Sequence, residues 1–586
     1  MVGGPCWVAR MAKRTGAVHV TTTRRHYKGK VYETTLLRRS YREGGKVRNE
    51  TVGNLSHLPP EVIAAIRAML AGRELVDPSE AFAVESSLPH GHVAAVLSVA
   101  RARDLERLLG RARSRARDLV LAMICQLLVA PGSKLSFTRR FQQTTLSGEL
   151  ALGEVREAEL LGALDWLLAR QERIEASLAS RHLSEGGFVL YDLSSSYLEG
   201  RCCALAALGH ARDGKKGKLR VNWGLVCSEE GRPVSVEVYP GDVADPATLP
   251  AAIAKVTGRF GIERVIFIGD RAMITEAHAE TLRQLGAGFI SALSNVQIGA
   301  LIGSGDLQLS LFDEANLAEI SSPAYPGERL VACRNPTLAA ARARKREELL
   351  CATEDELEKV RRMVEGPRGR LRAAAAGVIG ERVGGVSNRY KVAKHFELTI
   401  SDGAFAYVRR QEKIAAAAAL DGIYVLRTTC AAQELSCQAV VRLYKQLKMA
   451  ERAHRAMKDA LAVRPIRHRL EERVRAHFFL FMLAYYVLYE LAVRLQPMLF
   501  TDDAPLAPVD PVAPATRSPA ARAKAGSART EDGLTAYSLA DLIAELGTIC
   551  RSRVRIGDGE HTFERTTEAN EIQAKALALL GVKLVA

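Results

Sequence analysis

The sequence lacks the patterns that mark several common classes of protein. Its 586 residues include ten cysteines but no Cys-x-x-Cys pair, so neither a zinc ribbon nor a disulfide framework is expected, and a reducing compartment fits best. Neither Gly-x-Gly-x-x-Gly nor the phosphate-binding Gly-x-x-x-x-Gly-Lys-Ser/Thr loop occurs. Enzymes that depend on a dinucleotide or on a P-loop nucleotide are therefore not expected.

Long apolar runs are also scarce. The strongest one, residues 478–488, is eleven residues long and is flanked by His477 and Glu490. A helix that crosses a bilayer needs about 20 apolar residues, so this run predicts a buried core helix and no membrane partner. The first twenty residues lack the continuous apolar segment of a secretory signal, and we expect a cytoplasmic protein that associates with the nucleoid when it acts.

Positive charge, by contrast, is abundant. Lys and Arg number 82 against 66 Asp and Glu, which gives a formal net charge of +16. Nine of these cations crowd between Arg24 and Arg48, with tyrosines interleaved. A basic protein of this kind attracts polyanions, so DNA is the expected partner.

The chain is too long for a single core, and its composition changes several times along its length. Five prolines fall within 500–533, a composition typical of a linker. We predict seven consecutive regions: a basic β-hairpin region (1–56), a helical DNA-binding region (57–186), the first part of a core (187–295), a β-rich insertion domain with a charged helix (296–432), the second part of the core (433–499), a flexible linker (500–533) and a helical tail (534–586).

The segment from 187 to 295 has a distinctive order of periodic patterns. Three strands come first, and then helices and strands alternate. This order is typical of a ribonuclease-H-like core, so the predicted fold class is α/β and multidomain, with that core interrupted by the insertion. The predicted elements are strands at 188–198, 219–227, 233–240, 264–269 and 288–293 and helices at 247–258 and 274–285.

Three carboxylates occupy positions that suit metal-dependent phosphoryl transfer. Asp192 lies within an apolar, strand-like run, and Asp270 closes a second such run. Glu451 lies in the middle of a predicted amphipathic helix. Two strand-borne aspartates and one helix-borne glutamate can converge on a pair of divalent ions that act on a phosphodiester. Oxygen ligands without cysteine favour Mg²⁺ or Mn²⁺ over zinc.

Each carboxylate also has a simpler interpretation. Aspartates at strand ends often stabilise turns, and Glu451 could pair with Arg455 and Lys448 on an exposed helix face. Asp192 is harder to explain in this way, because its apolar neighbours indicate a central strand, where an unpaired carboxylate is costly.

The three carboxylates and their surroundings resemble the DDE transposases of bacterial insertion sequences. The resemblance is to the branch with a β-rich insertion before the glutamate and a Tyr-x2-Arg-x3-Glu-x6-Lys signature. Tyr444, Glu451 and Lys458 match that signature, whereas Leu447 stands where the arginine is expected. Residues 239–248 resemble the family segment Gly-Asn-x2-Asp-x2-Thr that precedes the second aspartate.

The resemblance implies a transposase that binds the terminal inverted repeats of an insertion sequence, cleaves the DNA and joins its 3′-hydroxyl ends to target DNA. It implies two metal ions, with Asp192 and Asp270 on the shared ion and Glu451 on the second. It also implies a homodimer in the synaptic complex. Four residues are expected to contact DNA: Tyr444, Lys458, Arg271 and Arg455.

Two other functions remain open at this point. A catalytically inactive repressor derived from a transposase would bind DNA without cutting it. A recombinase with a covalent nucleophile, such as a serine in 194–196 or a tyrosine, would need no metal and would leave protein attached to DNA. Metal-dependent nicking separates all three functions.

Overall fold

The computed structural model shows two units within one chain. One unit comprises residues 1–87 with 552–565, and the other comprises 88–551 with 566–586. The first fifteen residues of the predicted hairpin region and part of the predicted linker lie outside the described residues. The structure describes residues 16–73, 82–200, 202–212, 214–271, 273–366, 371, 374–502, 505, 510–556 and 561–584.

The first unit contains a small antiparallel sheet, a second small sheet and a helix. In the first sheet the strands follow one another in chain order, and a two-residue turn at Gly44 and Gly45 joins the second strand to the third. Both glycines have positive φ, which suits tight hairpin turns. The second sheet has the order β16-β15-β4. The bounds are Ala17–Tyr27 (β1), Lys30–Glu43 (β2), Lys46–Asn54 (β3), Pro60–Leu70 (α1), Phe82–Pro89 (β4), Cys550–Ile556 (β15) and Thr562–Thr566 (β16).

The first sheet of this unit has no buried side. Every residue in 16–73 is at least partly exposed, including Tyr27 and Tyr32, of which more than half is accessible to solvent. Two- and three-stranded sheets normally need a covered apolar face for stability. A basic sheet with no fully buried residue, against which α1 packs at β1, has exposed surface that suits a partner.

The second unit is built on an eight-stranded sheet with the order β10-β11-β14-β9-β8-β5-β6-β7. β5 pairs antiparallel with β6 and parallel with β8, and β8 pairs parallel with β9. The bounds are Gly187–Tyr197 (β5), Arg220–Ser228 (β6), Pro233–Pro240 (β7), Val265–Ile268 (β8), Gly288–Ala292 (β9), Leu317–Ile320 (β10), Arg329–Arg334 (β11) and Ile423–Thr428 (β14).

Five of these strands, in the order β7-β6-β5-β8-β9, have the arrangement of a ribonuclease-H-like core. All five lie where the sequence predicts strands. Every residue of β6 is buried, as expected for a strand covered on both faces. The mixed α/β core is therefore confirmed.

The predicted insertion domain, 296–432, does not stand apart as a whole. Its strands β10, β11 and β14 continue the core sheet, because β14 pairs antiparallel with β9. Residues 336–409 instead form a small body with its own apolar core, in which Phe405 and Leu357 are buried. A two-stranded sheet, Phe396–Ser401 (β12) and Ala404–Arg409 (β13), belongs to that body.

Helices cover both faces of the large sheet. Most helices of the second unit are short, and three are long. In the described residues of this unit they are Gly91–Ala102 (α2), Leu105–Leu109 (α3), Arg115–Val129 (α4), Lys134–Arg140 (α5), Leu146–Glu149 (α6), Glu157–Leu168 (α7), Gln171–His182 (α8), Leu249–Ala254 (α9), Glu276–Gln284 (α10), Asn295–Gly303 (α11), Leu311–Glu314 (α12), Pro336–Glu365 (α13), Ala376–Tyr390 (α14), Gln411–Ala419 (α15), Cys437–Lys458 (α16), Glu471–Leu495 (α17), Pro519–Ser527 (α18), Leu539–Gly547 (α19) and Glu571–Leu579 (α20).

Helix α17 is the centre of the main core. Residues 478–487 are all buried, and the helix packs against α4, α7 and β7. By length and hydropathy Glu471–Met498 could cross a membrane, but 72% of its most apolar window is buried inside the protein, as in a core helix. The predicted helical region, 57–186, is consequently not separate, since its helices from α2 onward share this core with the large sheet.

The predicted linker, 500–533, also differs from expectation where the structure describes it. Val512 is fully buried, and its carbonyl accepts hydrogen bonds from Asn335 Nδ2 and Lys445 Nζ, both at 3.1 Å. A proline-rich backbone lacks some N–H donors but keeps its carbonyl acceptors. Hydrogen bonds to the Val512 carbonyl anchor the described part of the segment, which also contains helix α18.

Candidate active site

Asp192 lies in the middle of β5 and is partly buried. Its Oδ1 accepts a hydrogen bond of 2.9 Å from the backbone N–H of Leu193, and its Oδ2 accepts one of 3.1 Å from Nδ1 of His454. Burial raises the pKa of Asp192, but the hydrogen bonds from His454 and Leu193 outweigh that effect. The pKa therefore lies below its ordinary value, and the side chain is a carboxylate at neutral pH.

Asp270 follows β8 and is exposed. In the parallel pair of β5 and β8, Leu190 is opposite Ile268. Two residues further along each chain come Asp192 and Asp270, so the two aspartates project from corresponding positions of neighbouring strands. Strands in a sheet are about 4.8 Å apart, which places both carboxyl groups at one edge of the sheet.

Asp270 is held by its own backbone environment. Its Oδ1 accepts a 2.6 Å hydrogen bond from the backbone N–H of Arg271, and its carbonyl accepts one of 3.1 Å from Oγ of Ser291 on β9. A short turn after a buried strand is thereby fixed in place. The turn presents the carboxylate to solvent rather than to the core.

Glu451 is exposed on α16, which packs against β5 through a buried stripe that includes Leu447, Ala450 and His454. The pKa of Glu451 is raised by burial and then by the negative charges of Asp192 and Asp270. Because the raising effect comes from both aspartates, Glu451 lies within electrostatic reach of each of them. Asp192, Asp270 and Glu451 are therefore near enough to affect one another's ionisation, although they do not form a tight cluster in the part of the chain that the structure describes.

The donor set suits a hard cation, although the three carboxylates do not form a closed cage. Among the residues that the structure describes, no three His, Cys, Asp or Glu side chains gather closely enough to hold a metal ion. Burial, followed by the charges of Asp192 and Asp270, raises the pKa of Glu451, and the opposing effects of Arg455 and His454 are smaller. Oxygen donors with excess negative charge are the type of site that binds Mg²⁺ or Mn²⁺.

His454 is a site residue that sequence reasoning did not assign. It lies three residues after Glu451 on α16, and only 4% of it is exposed. Its ring packs edge-on against Trp223 with centroids 4.6 Å apart, and Trp223 Nε1 donates to Oγ of Ser196 at 3.1 Å. The i, i+3 spacing from Glu451 was the available signal, but only the fold reveals that the imidazole meets Asp192.

The four residues expected to contact DNA lie in different environments. Tyr444 is half-buried, and burial followed by Asp270 raises its pKa. Lys458 donates to Oγ of Ser194 on β5, so its ammonium group faces the strand that carries Asp192. Arg271 and Arg455 are exposed, and neither forms an ion pair with a residue that the structure describes.

Leu447, at the position of the signature arginine, is 7% exposed and belongs to the apolar stripe of α16. A leucine packed in this way cannot bind a phosphate. Leu447 therefore does not make the phosphate or scaffold contact expected of an arginine at this position.

Two parts of the chain match models of known protein families. Residues 20–80 match the family model described as IS1634 family transposase, N-terminal domain, and residues 206–487 match the one described as Transposase DDE domain. The second match spans Asp270 and Glu451 and begins after Asp192. A comparison with curated proteins gives no match. The two family matches confirm the resemblance to the insertion-sequence DDE transposases, to which the chain belongs, and they do not test the Tyr-x2-Arg-x3-Glu-x6-Lys signature.

Proposed function

We propose that this transposase cleaves DNA at the ends of its insertion sequence and joins the 3′-hydroxyl ends to target DNA, with Asp192, Asp270 and Glu451 as the catalytic residues. One observation carries the proposal. Asp192 lies on β5, Asp270 follows the adjacent parallel strand β8 at the corresponding position, and Glu451 lies on α16, which packs against β5.

In this proposal the three carboxylates hold two divalent cations, Mg²⁺ or Mn²⁺. Asp192 and Asp270 share one ion, and Glu451 binds the other. When bound, the cations offset the charge of the phosphate and assist both the attacking and the leaving oxygens. The pKa of Glu451 is raised first by burial and then by Asp192 and Asp270, and the second effect supports this assignment, since neighbouring carboxylates repel one another.

The neighbouring residues prepare the site for a charged substrate. His454 keeps Asp192 ionised and fixes its orientation through the 3.1 Å hydrogen bond. Arg271 and Arg455, which are exposed and free of ion pairs with described residues, are suited to bind backbone phosphates beside the carboxylates. Tyr444 and Lys458 complete the contacts, although Lys458 must exchange its bond with Ser194 for one with DNA.

Recognition of the terminal repeats is assigned to the first unit. Its sheet is basic, has no buried residue in 16–73, and lies in the region that matches the N-terminal domain of IS1634 family transposases. A homodimer would bring two DNA ends together in the synaptic complex. The reaction then takes place in the cytoplasm, on nucleoid DNA.

The competing functions receive less support. A repressor without activity would not require three neighbouring carboxylates. A serine recombinase is disfavoured because Ser194, Ser195 and Ser196 are all buried, and Ser196 accepts a hydrogen bond from the indole of Trp223. A nucleophile must reach the phosphate, and these hydroxyl groups do not face solvent.

The test is strand cleavage of DNA that carries the element's own ends, in the presence of Mg²⁺. Asp192→Asn, Asp270→Asn and Glu451→Gln preserve side-chain shape and should each abolish cleavage while DNA binding persists. Glu472→Gln, on an exposed part of α17, is the matched control and should cleave as the wild type does. Normal cleavage by Glu451→Gln would remove the third carboxylate from the site.

A further inference from the structure

A cavity of about 740 Å³ lies next to the catalytic elements but takes no part in the chemistry proposed above. Its walls are the start of α5, one face of α7, the first turns of α17 and the loop 462–470 that follows α16. Apolar side chains, including Leu161 and Phe481, form part of the lining. Five Lys and Arg side chains and two histidines also line it: Lys134, Arg464, Arg467, Arg469, Arg473, His468 and His477.

The positive charge of this basic cavity is only weakly compensated. Arg464, Arg467 and Arg473 each meet one partly exposed carboxylate, at distances of 2.9, 3.5 and 3.4 Å. Exposed pairs of this kind contribute little. Arg469 is exposed and forms no ion pair with any residue in the described part of the chain. Glu157 is the one acidic residue among the described residues that line the cavity, so cations outnumber anions there.

Lys134 is the most unusual of these residues because it is buried. Only 7% of it is exposed, and its Nζ donates to Nδ1 of His477 at 2.8 Å. Nε2 of His477 in turn donates to the carbonyl of Val463 at 2.9 Å, so Nδ1 is free to accept. Lys134 has no carboxylate partner among the described residues, and burial lowers its pKa to about 7.

A lysine buried without a counter-anion is costly, since its charge loses hydration and gains no opposite charge. His468 shows the same excess, because burial and then the charges of Lys134 and Arg473 lower its pKa to about 3. The positive charges of Lys134 and Arg473 thus act together with burial to keep His468 neutral. An anion bound among them would offset this cost directly.

The cavity is also tied to the catalytic strand. The backbone N–H of Ile466 donates to the carbonyl of Tyr197 at 3.1 Å, and the N–H of Glu199 donates to the carbonyl of Ile466 at 2.8 Å. Tyr197 ends β5, the strand that carries Asp192. A ligand in the cavity consequently lies at the carboxyl end of the strand on which the first catalytic aspartate is placed.

We infer that the basic cavity binds the phosphate of a nucleotide unit, with Lys134, Arg469 and Arg473 on the phosphate and the apolar wall of Leu161 and Phe481 beside the sugar or base. The nucleotide belongs either to a DNA strand or to a free nucleoside phosphate. The volume suits either one, as binding pockets for small ligands span about 300–1,000 Å³. The inference does not depend on the three carboxylates.

The experiment measures binding to the full chain without divalent cations, by isothermal titration with inorganic phosphate, with a deoxynucleoside monophosphate and with a short duplex. Lys134→Met removes the amine and keeps the aliphatic stem, and Arg469→Gln removes an exposed cation. Arg139→Gln, exposed on α5 and outside the cavity, is the matched control. Asp192→Asn should bind every probe as the wild type does, which separates this site from the catalytic one.

Two results support the inference and identify the source of the phosphate. If phosphate or the nucleotide binds the wild type and both cavity variants weaken it at least tenfold, the ligand is a free nucleoside phosphate. The other outcome is that only the duplex binds, and that each cavity variant lowers the slope of log K against log salt. If that fall exceeds the fall in Arg139→Gln by about 0.9, the phosphate is that of DNA. Equal binding of all probes by the wild type and both variants would overturn the inference. Arg469→Gln decides the outcome if Lys134→Met does not fold.

Discussion

His454 Nδ1 lies 3.1 Å from Oδ2 of Asp192, which joins the helix of the glutamate to the strand of the first aspartate. The imidazole is buried and packs on Trp223, and so it has little freedom to turn away. The hydrogen bond both orients the carboxylate and lowers its pKa. Through His454, the packing of α16 on the sheet fixes the position of the Asp192 carboxylate.

Replacing His454 with alanine should slow cleavage by about 10- to 100-fold, the usual effect of removing a hydrogen-bonded partner of a metal-binding carboxylate. The concentration of Mg²⁺ required for half-maximal cleavage should rise, because Asp192 loses its fixed orientation. Cleavage rates measured over a series of Mg²⁺ concentrations test both effects.

His454→Gln serves as the conservative variant, since its amide can still donate to Asp192 and should restore part of the rate. Arg452→Gln, exposed on the same helix, is the control and should leave the Mg²⁺ requirement unchanged. An equal loss in His454→Ala and His454→Gln, with no change in Mg²⁺ requirement, would assign His454 to packing alone.

Glu490 should be essential for stability rather than for activity. It is fully buried on α17, where it accepts a hydrogen bond of 2.7 Å from Arg103 and one of 3.1 Å from Arg232. Removing one member of a buried ion pair leaves charge uncompensated, so Glu490→Gln should lower the free energy of unfolding by about 3–5 kcal/mol. Urea denaturation of this variant, with the exposed Glu472→Gln as control, measures the loss.

Much of the core could be predicted because its signals are local. The strands β5 to β9 are short apolar runs separated by turns, and Asp192 and Asp270 stand at recognisable places within them. Amphipathic spacing likewise located the helix of Glu451. Periodicity and motif spacing are properties of residues close together in the chain, so they can be recognised without knowledge of the fold.

The remaining features depend on pairings between distant residues. Leu426 pairs with Ala292 across more than a hundred residues, so the extension of the sheet by β14 is not visible in either segment alone. The contact of Lys445 with the carbonyl of Val512 anchors a stretch whose composition indicates a linker. The hydrogen bond between His454 and Asp192 is also a contact between distant residues, because it forms only when α16 packs on β5.

DNA binding by the first unit should be largely electrostatic. Lys28 and Lys30 flank the exposed turn between β1 and β2, in a sheet with no buried residue in 16–73. Each phosphate contact contributes about 0.9 to the slope of log K against log salt, so replacing both lysines with glutamine should reduce that slope by up to about 1.8. Fluorescence anisotropy with a terminal-repeat duplex measures the slope.

The matched control replaces Lys345 and Lys359, two exposed lysines on α13, with glutamine. An identical fall in slope in the control would show a non-specific effect of net charge. An unchanged slope in the Lys28 and Lys30 variant would move end recognition away from this turn.

Removal of divalent cations should stop cleavage completely. Asp192 and Asp270 lie on neighbouring strands, and both raise the pKa of Glu451, so the site carries negative charge that a cation must offset before a phosphate can enter. EDTA should therefore abolish cleavage of an element-end duplex, and Mg²⁺ or Mn²⁺ should restore it.

Ca²⁺ should permit assembly of the DNA complex without reaction, because its coordination is longer and less regular than that of Mg²⁺. The products should carry 3′-hydroxyl ends and no attached protein, which denaturing gels with and without protease digestion can establish. Cleavage that persists in EDTA and leaves protein on the DNA would contradict the assignment of the three carboxylates.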